Sequence, residues 1–314
     1  MSDQNHQKQI HPILATTLGI LCVSTASIFI RFAQDEASAI VIAASRLMVA
    51  SVILVPIVLI KQRDEWKRLS RNDFGKAILS GIFLALHFTT WISSLALTSI
   101  ASSIVLVTTT PLWVALLSPF VLKEPIRNSV IAGLVISMIG SLVVGLANIC
   151  QLQEGIFVCK GQVLSGSSML GNFLALSGAW MAAGYILMGR QLRKNLTTLS
   201  YAGLVYGIAG LILTVIVIIR KEPVFSYSRQ TYFYLTALGI VPQLLGHSFL
   251  NLALKYISAA YVSLTLLGEP IGTVILALIF LNESPTLLEG IGAVLILIGI
   301  VVASLWREKR VNGA

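Results

Sequence analysis

The amino-acid sequence predicts an all-α integral membrane protein, with ten transmembrane helices in two inverted five-helix repeats around a central cavity. Three observations carry this expectation. Hydrophobic residues are 56% of the chain and charged residues 11%, where a soluble domain carries roughly 25% charged. Apolar runs of about 20 residues, enough to span a bilayer, recur along its length. Finally, the stretch from Gly19 to Val143 returns about 159 residues later as Gly178 to Val302. At that single offset Gly19, Arg31, Ser99, Ala101 and Pro111 match Gly178, Arg190, Ser258, Ala260 and Pro270. Glu124, Gly133 and Gly140 likewise match Glu283, Gly292 and Gly299. An offset that never shifts is the mark of one duplicated folding unit. Duplicated membrane bundles of this kind commonly hold a transport site between their halves.

The apolar windows run, in order, Pro12–Ile30, Ala37–Ile60, Ala77–Leu97, Ser102–Leu122 and Ser129–Ala147, then Gly171–Gly189, Thr198–Ile219, Thr231–Ala253, Ser258–Leu281 and Thr286–Trp306. All are expected to be helices, because unpaired backbone groups are too costly in hydrocarbon. The first window is too long for a signal-peptide core, and Arg31-Phe32 stands where a small-residue cleavage site would be. It is expected to be retained. The expected units are a first repeat over 12–147, an outside loop over 148–170, a second repeat over 171–306 and a cytoplasmic tail over 307–314.

The net charge of +9 does not point to nucleic acid, because its distribution follows the membrane. With the N-terminus inside, one face collects Lys8, the Lys61–Lys76 cluster, Lys123, Arg127, Arg190, Arg193, Lys194, Lys255, Arg307, Lys309 and Arg310. Arg31, Lys160, Arg220, Lys221 and Arg229 fall on the other, and Arg46 lies within a helix. This is the positive-inside bias, and it predicts cytoplasmic N- and C-termini in a cell (inner) membrane. Five helices per half is an odd number, so the second half must enter the membrane inverted.

Of the three cysteines, Cys22 reads as a small packing residue. Cys150 and Cys159 share the longest outside connection, where they either close a short disulfide loop or stay as unpaired thiols. No Cys/His cluster has metal-ligand spacing, so neither metal nor cofactor is expected. Trp66 among Arg63, Lys67 and Arg68 reads as an anchor at the lipid head groups. Thr286-Leu-Leu-Glu289 fits a capping box opening the last window. Glu124 and Glu283 close the fourth and ninth windows, and each is read as a carboxylate serving the N-terminus of the next helix.

The helix interiors carry the functional signal. Thr108-Thr-Thr-Pro111-Leu-Trp113 and Gly268-Glu269-Pro270-Ile-Gly272 stand at repeat-equivalent positions. Each proline removes a backbone donor and loosens its helix, ~14 Å in for Pro111 and ~18 Å in for Pro270 by helical rise. Matching breaks in two halves point to a substrate site, with a packing kink as the alternative. Thr109 and Trp113 are therefore placed on the cavity wall. His87 lies ~15 Å into the third helix by the same measure. It is either a proton carrier near neutral pH or a neutral histidine bonded within the bundle, and Trp91, one turn on, shares its side. Arg46 lies ~13 Å below the outer surface and Glu269 ~17 Å above the inner one, nearly one level in a ~30 Å core. A charge there costs at least ~2.5–3.5 kcal/mol, so both are expected to line the cavity, to hold a substrate carboxylate and an amine or proton. The alternative is an ion pair that merely fixes the helices.

The run Ser94-Leu-Ala-Leu-Thr-Ser-Ile-Ala-Ser, Pro111 and Leu122-Lys-Glu124, with its copy Ala253-Leu-Lys-Tyr-Ile-Ser-Ala-Ala, Glu269-Pro270 and Leu281-Asn-Glu283, resembles the paired EamA-type repeats of the drug/metabolite transporter superfamily. The glycine-spaced last helix of each half (Gly133 and Gly140, Gly292 and Gly299) and Ala44-Ser-Arg46-Leu-Met-Val-Ala50 belong to the same pattern. The resemblance covers Pro12 to Trp306. It departs at Leu95-Ala-Leu-Thr98, where the family usually has Ala-Leu-x-Tyr, and so assigns no aromatic role there. It implies ten helices around a central cavity and export or exchange of small polar metabolites. The expected activity is a secondary permease working by alternating access, with a small-molecule substrate, the lipid bilayer and proton coupling as its partners. A lipid translocase of the same architecture and an intramembrane enzyme are the competing classes. An enzyme would need a nucleophile, base or metal constellation at one depth, and only scattered serines, threonines and histidines occur. The chain carries no Walker motif for direct ATP drive.

Overall fold

A computed structural model of the protein describes residues 11–98, 103, 106–147, 150–153, 156–159, 166–281 and 287–304. The first apolar window is two helices, α1 (Pro12–Ser24) and α2 (Ala26–Ala33), hinged at Thr25, whose hydroxyl turns back to Cys22 O at 2.7 Å. There follow α3 (Ala39–Lys61), the short α4 (Arg63–Lys67), α5 (Arg71–Ser94), α6 (Thr110–Val121) and α7 (Asn128–Ala147). A two-stranded antiparallel hairpin, β1 (Cys150–Gln153) and β2 (Ile156–Cys159), occupies the connection that the sequence reads as loop. Then come α8 (Gly166–Leu192), α9 (Thr198–Ile219) and α10 (Arg229–Leu238). A π-helical stretch, Gly239–His247, leads from α10 into α11 (Ser248–Ala253). The chain ends in α12 (Ala259–Thr265), a 3-10 turn Leu266–Gly268, α13 (Glu269–Leu281) and α14 (Leu287–Ser304).

Local chemistry accounts for the starts. The side chains of Ser70, Thr197, Ser228 and Ser258 each accept the backbone N–H three residues on, satisfying a donor that a helix leaves free at its first turn. Among the described residues, six helical spans are long and apolar enough to cross a membrane: Pro12–Ala33, Ala39–Lys61, Arg71–Ser94, Ser167–Leu192, Thr198–Ile219 and Arg229–Ala253. Thr110–Val121, Asn128–Val144 and Gly290–Ala303 are shorter apolar helices. Large apolar side chains such as Ile60, Phe120, Leu211 and Ile218 face outward, a cover suited to lipid rather than water.

Small residues set the packing. α3 lies on α9, α5 on α8, and α1 on the π-helical stretch and α11. α7 and α14 make the closest crossing. A Cβ on Gly133 would lie 2.4 Å from Gly299 O, and one on Gly140 would lie 2.7 Å from Gly292 O. The reverse approaches are equally tight: a Cβ on Gly292 meets Gly140 O at 2.7 Å and one on Gly299 meets Gly133 O at 2.5 Å. Only glycine allows such an approach, the small-residue packing that joins helices in lipid. Gly133 thus faces Gly299 and Gly140 faces Gly292, which makes the two helices antiparallel.

Candidate functional site

The irregular turns open the centre of the bundle. α6 starts at Thr110 with Pro111 in its first turn, directly after a turn at Thr108-Thr109. α13 starts at Glu269 with Pro270 next, directly after the 3-10 turn. The residues that reach the cavity from these segments are Val107, Thr108, Thr110 and Pro111 from one, and Leu266, Leu267, Glu269 and Pro270 from the other. These are four matched positions, each displaced by 159; Thr273, a turn further along α13, also lines the cavity, whereas its counterpart Val114 does not. The cavity measures about 550 Å³, enough for a small molecule.

Arg46 of α3 lies on its wall and is 1% exposed. Its Nε donates to Gln243 Oε1 at 2.8 Å, and its guanidinium carbon stands 4.1 Å over the Phe88 ring. The Arg46 Nη1 and Trp91 Nε1 donors, both buried, have no acceptor among the described residues. A buried donor without an acceptor is costly, so both favour an acceptor-rich ligand. Glu269 lines the same cavity and forms no direct ion pair with Arg46 among the described residues. The structural ion pair is therefore absent, and the two charges share a cavity instead.

His87 Nδ1 lies 2.9 Å from Gly178 O, so a carbonyl that can only accept puts the ring proton on Nδ1. The ring stacks on Trp91, with centroids 5.9 Å apart and planes 9° apart. Tyr185, Asn251 and His247 add to the polar lining. Tyr185 donates to Asn251 Oδ1 at 3.0 Å, and Asn251 Nδ2 reaches Tyr206 Oη at 3.0 Å.

Of the residues nominated from sequence, Arg46, His87, Trp91, Pro111, Glu269 and Pro270 line this cavity. Thr109 and Trp113 do not. Trp113 Nε1 donates to Thr109 Oγ1 at 3.2 Å, and its ring meets Trp180 edge-on at 5.5 Å. Thr109 borders a separate space with Met138 and Ser141. The reason is the break itself: a new helix begins at Thr110, so facing assignments drawn along one continuous helix turn away from the cavity. The repeat offset singles out Thr110, the counterpart of Glu269. Gln243, Tyr185 and Asn251 carried no sequence signal beyond being polar residues in apolar windows.

A family model for the EamA-like transporter family matches residues 11–146 and again 169–305. The chain belongs to this family. It is therefore an integral, multi-pass membrane protein of a transporter family. Its relatives include an uncharacterized transporter of Clostridium kluyveri, 25% identical over 81% of this chain and 80% of the relative. The uncharacterized transporter YyaM of Bacillus subtilis is 26% identical over 83% of each. The pseudopaline exporter CntI of Pseudomonas aeruginosa is 27% identical over 88% of this chain and 90% of that one. A solved crystal structure, 19% identical, superposes with a TM-score of 0.76 over 94% of this chain and 96% of its own, which speaks for the fold alone.

In this EamA family member the cavity has unlike ends. At one rim Arg31 is exposed and Gln34 half-buried. Near that rim Phe32 stacks on Tyr234, ring centroids 5.0 Å apart, early in the Arg229–Ala253 span. At the other end the floor is Leu254 and Ile186, both buried. Arg190 Nε donates to Glu124 Oε1 at 2.9 Å and its Nη1 to Leu254 O at 2.6 Å. Gln191 Nε2 donates to Val121 O at 2.9 Å, and Arg193 Nε to Asn251 O at 3.0 Å. Glu124 therefore serves another helix's arginine instead of capping α7. Half-buried Trp66 donates its Nε1 to Ser200 O at 3.1 Å, beside Glu65, which accepts from Thr197 N at 3.0 Å. Glu283 and Thr286 lie outside the described residues, as do the side chains of Glu289, Cys150 and Cys159. The backbones of Cys150 and Cys159 stand directly opposite in the hairpin register.

Proposed function

We propose that this chain is a secondary permease for small polar metabolites, amino acids or related zwitterions, working by alternating access of the Arg46–Glu269 cavity. One observation carries the reading: a buried cation from one half and a carboxylate from the other line one cavity without pairing to each other. Arg46, pre-set by Gln243 and Phe88, holds a substrate carboxylate through its free Nη1. Glu269 holds the ammonium, or a proton between substrates. Trp91 and Phe88 cover the apolar body of the substrate.

Two inverted five-helix halves, ten helices in all, make the alternation. The two-fold exchange of Gly133–Gly299 with Gly140–Gly292 supports it, since repeat positions swap roles across an antiparallel pair. A relative named as an exporter supports outward movement. The positive-inside charge distribution supports cytoplasmic termini in the cell membrane.

A panel of amino acids, their amides and lipid head-group analogues is screened by thermal shift on the purified protein, since a ligand of the folded state raises its apparent stability. Hits then enter counterflow in proteoliposomes. Stabilisation and counterflow by zwitterions are expected. Stabilisation by head-group analogues alone would replace this reading with lipid translocation.

A further inference from the structure

Arg190 is the repeat counterpart of Arg31, yet the two lie at opposite ends of the cavity. Phe32, stacked on Tyr234, places Arg31 beside the start of the Arg229–Ala253 span, whereas Arg190 grips Leu254, just past that span's end. Leu254 is also a cavity wall. Arg190 therefore bonds, with one guanidinium, the floor of the cavity and the connection between α6 and α7.

We infer that the Arg190–Glu124 pair is a latch that closes one mouth of the cavity, and that it must break for the cavity to open on that side. Three features fit a latch rather than a fixed structural tie. The pair is only partly exposed, with side-chain exposures of 16% and 23%, so solvent screens it less than a surface pair. It is also incompletely satisfied. Among the described residues the buried Glu124 Oε2 atom has no hydrogen-bond partner, so reaching water on opening offsets part of the cost of breaking the pair. Finally, Lys123, just before Glu124, has φ 56°, the left-handed turn that commonly ends a helix, in a conformation that non-glycine residues adopt uncommonly. This turn carries the chain out of α6 to Glu124, and loss of the pair removes one of the contacts holding it.

Arg31 at the other rim has no ion pair among the described residues. The conformation is accordingly one with the Arg190 mouth shut and the Arg31 mouth open. This inference rests on the alternating-access reading, and its test separates the two. A cysteine is placed at Ile186, a cavity residue one turn from Arg190. The full chain is reconstituted, and an impermeant methanethiosulfonate is applied from each face, against the parent chain without that cysteine. Labelling from the Arg31 face is expected to dominate. Glu124→Gln should raise labelling from the Arg190 face about tenfold, a shift of about 1.4 kcal/mol in the mouth equilibrium. Arg190→Lys, which keeps the charge but not the two-partner grip, should give a smaller rise if Glu124→Gln does not fold. The exchanged pair Glu124→Arg with Arg190→Glu should bring labelling back towards the parent rate. Labelling from both faces at rates that ignore all these variants would overturn the latch alone. Labelling from one face only, in every variant, would overturn alternating access and the latch with it.

Discussion

Arg31 and Arg190 occupy the same place in the two copies of the repeat and behave as different residues in the fold. Arg190 is bonded to Glu124 and Leu254 in a partly buried cluster with Gln191 and Arg193 close by. Arg31 is exposed at an open rim, where the nearby tie is Glu36, exposed itself, accepting from Ser228 N at 2.7 Å. Duplication reproduces helices and glycine crossings, yet Arg190 is paired while Arg31 is exposed, with no ion pair among the described residues. A transporter that opens to one side at a time needs that inequality.

The glycine crossing of α7 and α14 should be the more sensitive region. Gly133→Leu should cost about 3 kcal/mol or more through overpacking, and Gly292→Leu about as much, because both press a side chain onto a facing carbonyl. Gly75→Leu, with nothing within 4 Å, should stay within about 0.5 kcal/mol. Thermal unfolding in detergent reads all three. Unequal losses at Gly133 and Gly292 would mean that the two-fold exchange is not shared. The two arginines should then split. Arg190→Gln should lower stability by about 1.5–3 kcal/mol, the range for hydrogen bonds to charged groups, and Arg31→Gln by no more than about 0.5 kcal/mol.

Within the cavity, Thr110→Val should weaken ligand binding about fivefold, near 1 kcal/mol, while Thr109→Val leaves it alone. Titration calorimetry with the ligand found by the panel decides between them. The smallest effect belongs to the open rim. The Ser228 backbone N–H and hydroxyl hold the Glu36 carboxyl below the usual carboxylate range. A lowered folded value means that the contact stabilises above the ordinary carboxylate pKa and is lost as pH falls through the folded value. The protection factor of the Ser228 amide, its exchange rate relative to the intrinsic rate at the same pH, should fall on acidification, and Glu36→Gln should remove that dependence.

Helices, membrane class and family are legible in the sequence because they rest on periodic or repeated signals: apolar length, basic flanks and one constant offset. Arg46 and Glu269 are legible because a charge deep in an apolar window is too costly to persist without a partner or a ligand. Thr109 and Trp113 are misplaced by sequence because helical facing fails where a helix restarts, and that restart depends on backbone bonding on both sides of Pro111. The Glu124 partner is not legible either. Arg190 looks like any basic residue at a helix end until the fold brings it to the floor of the cavity. The hairpin at Cys150–Cys159 is too short to announce itself by alternation.

The most direct test of the cavity uses one amino acid that binds, its amide lacking the carboxylate and its N-acetyl form lacking the ammonium. Calorimetry is run on the parent protein, Arg46→Gln and Glu269→Gln. If Arg46 and Glu269 hold the two ends of a zwitterion, the parent binds the free amino acid at least about tenfold tighter than either derivative, near 1.4 kcal/mol for each lost end. Arg46→Gln then loses the preference over the amide, and Glu269→Gln the preference over the N-acetyl form. Folded variants that keep the parent's affinity and both preferences would contradict the assignment.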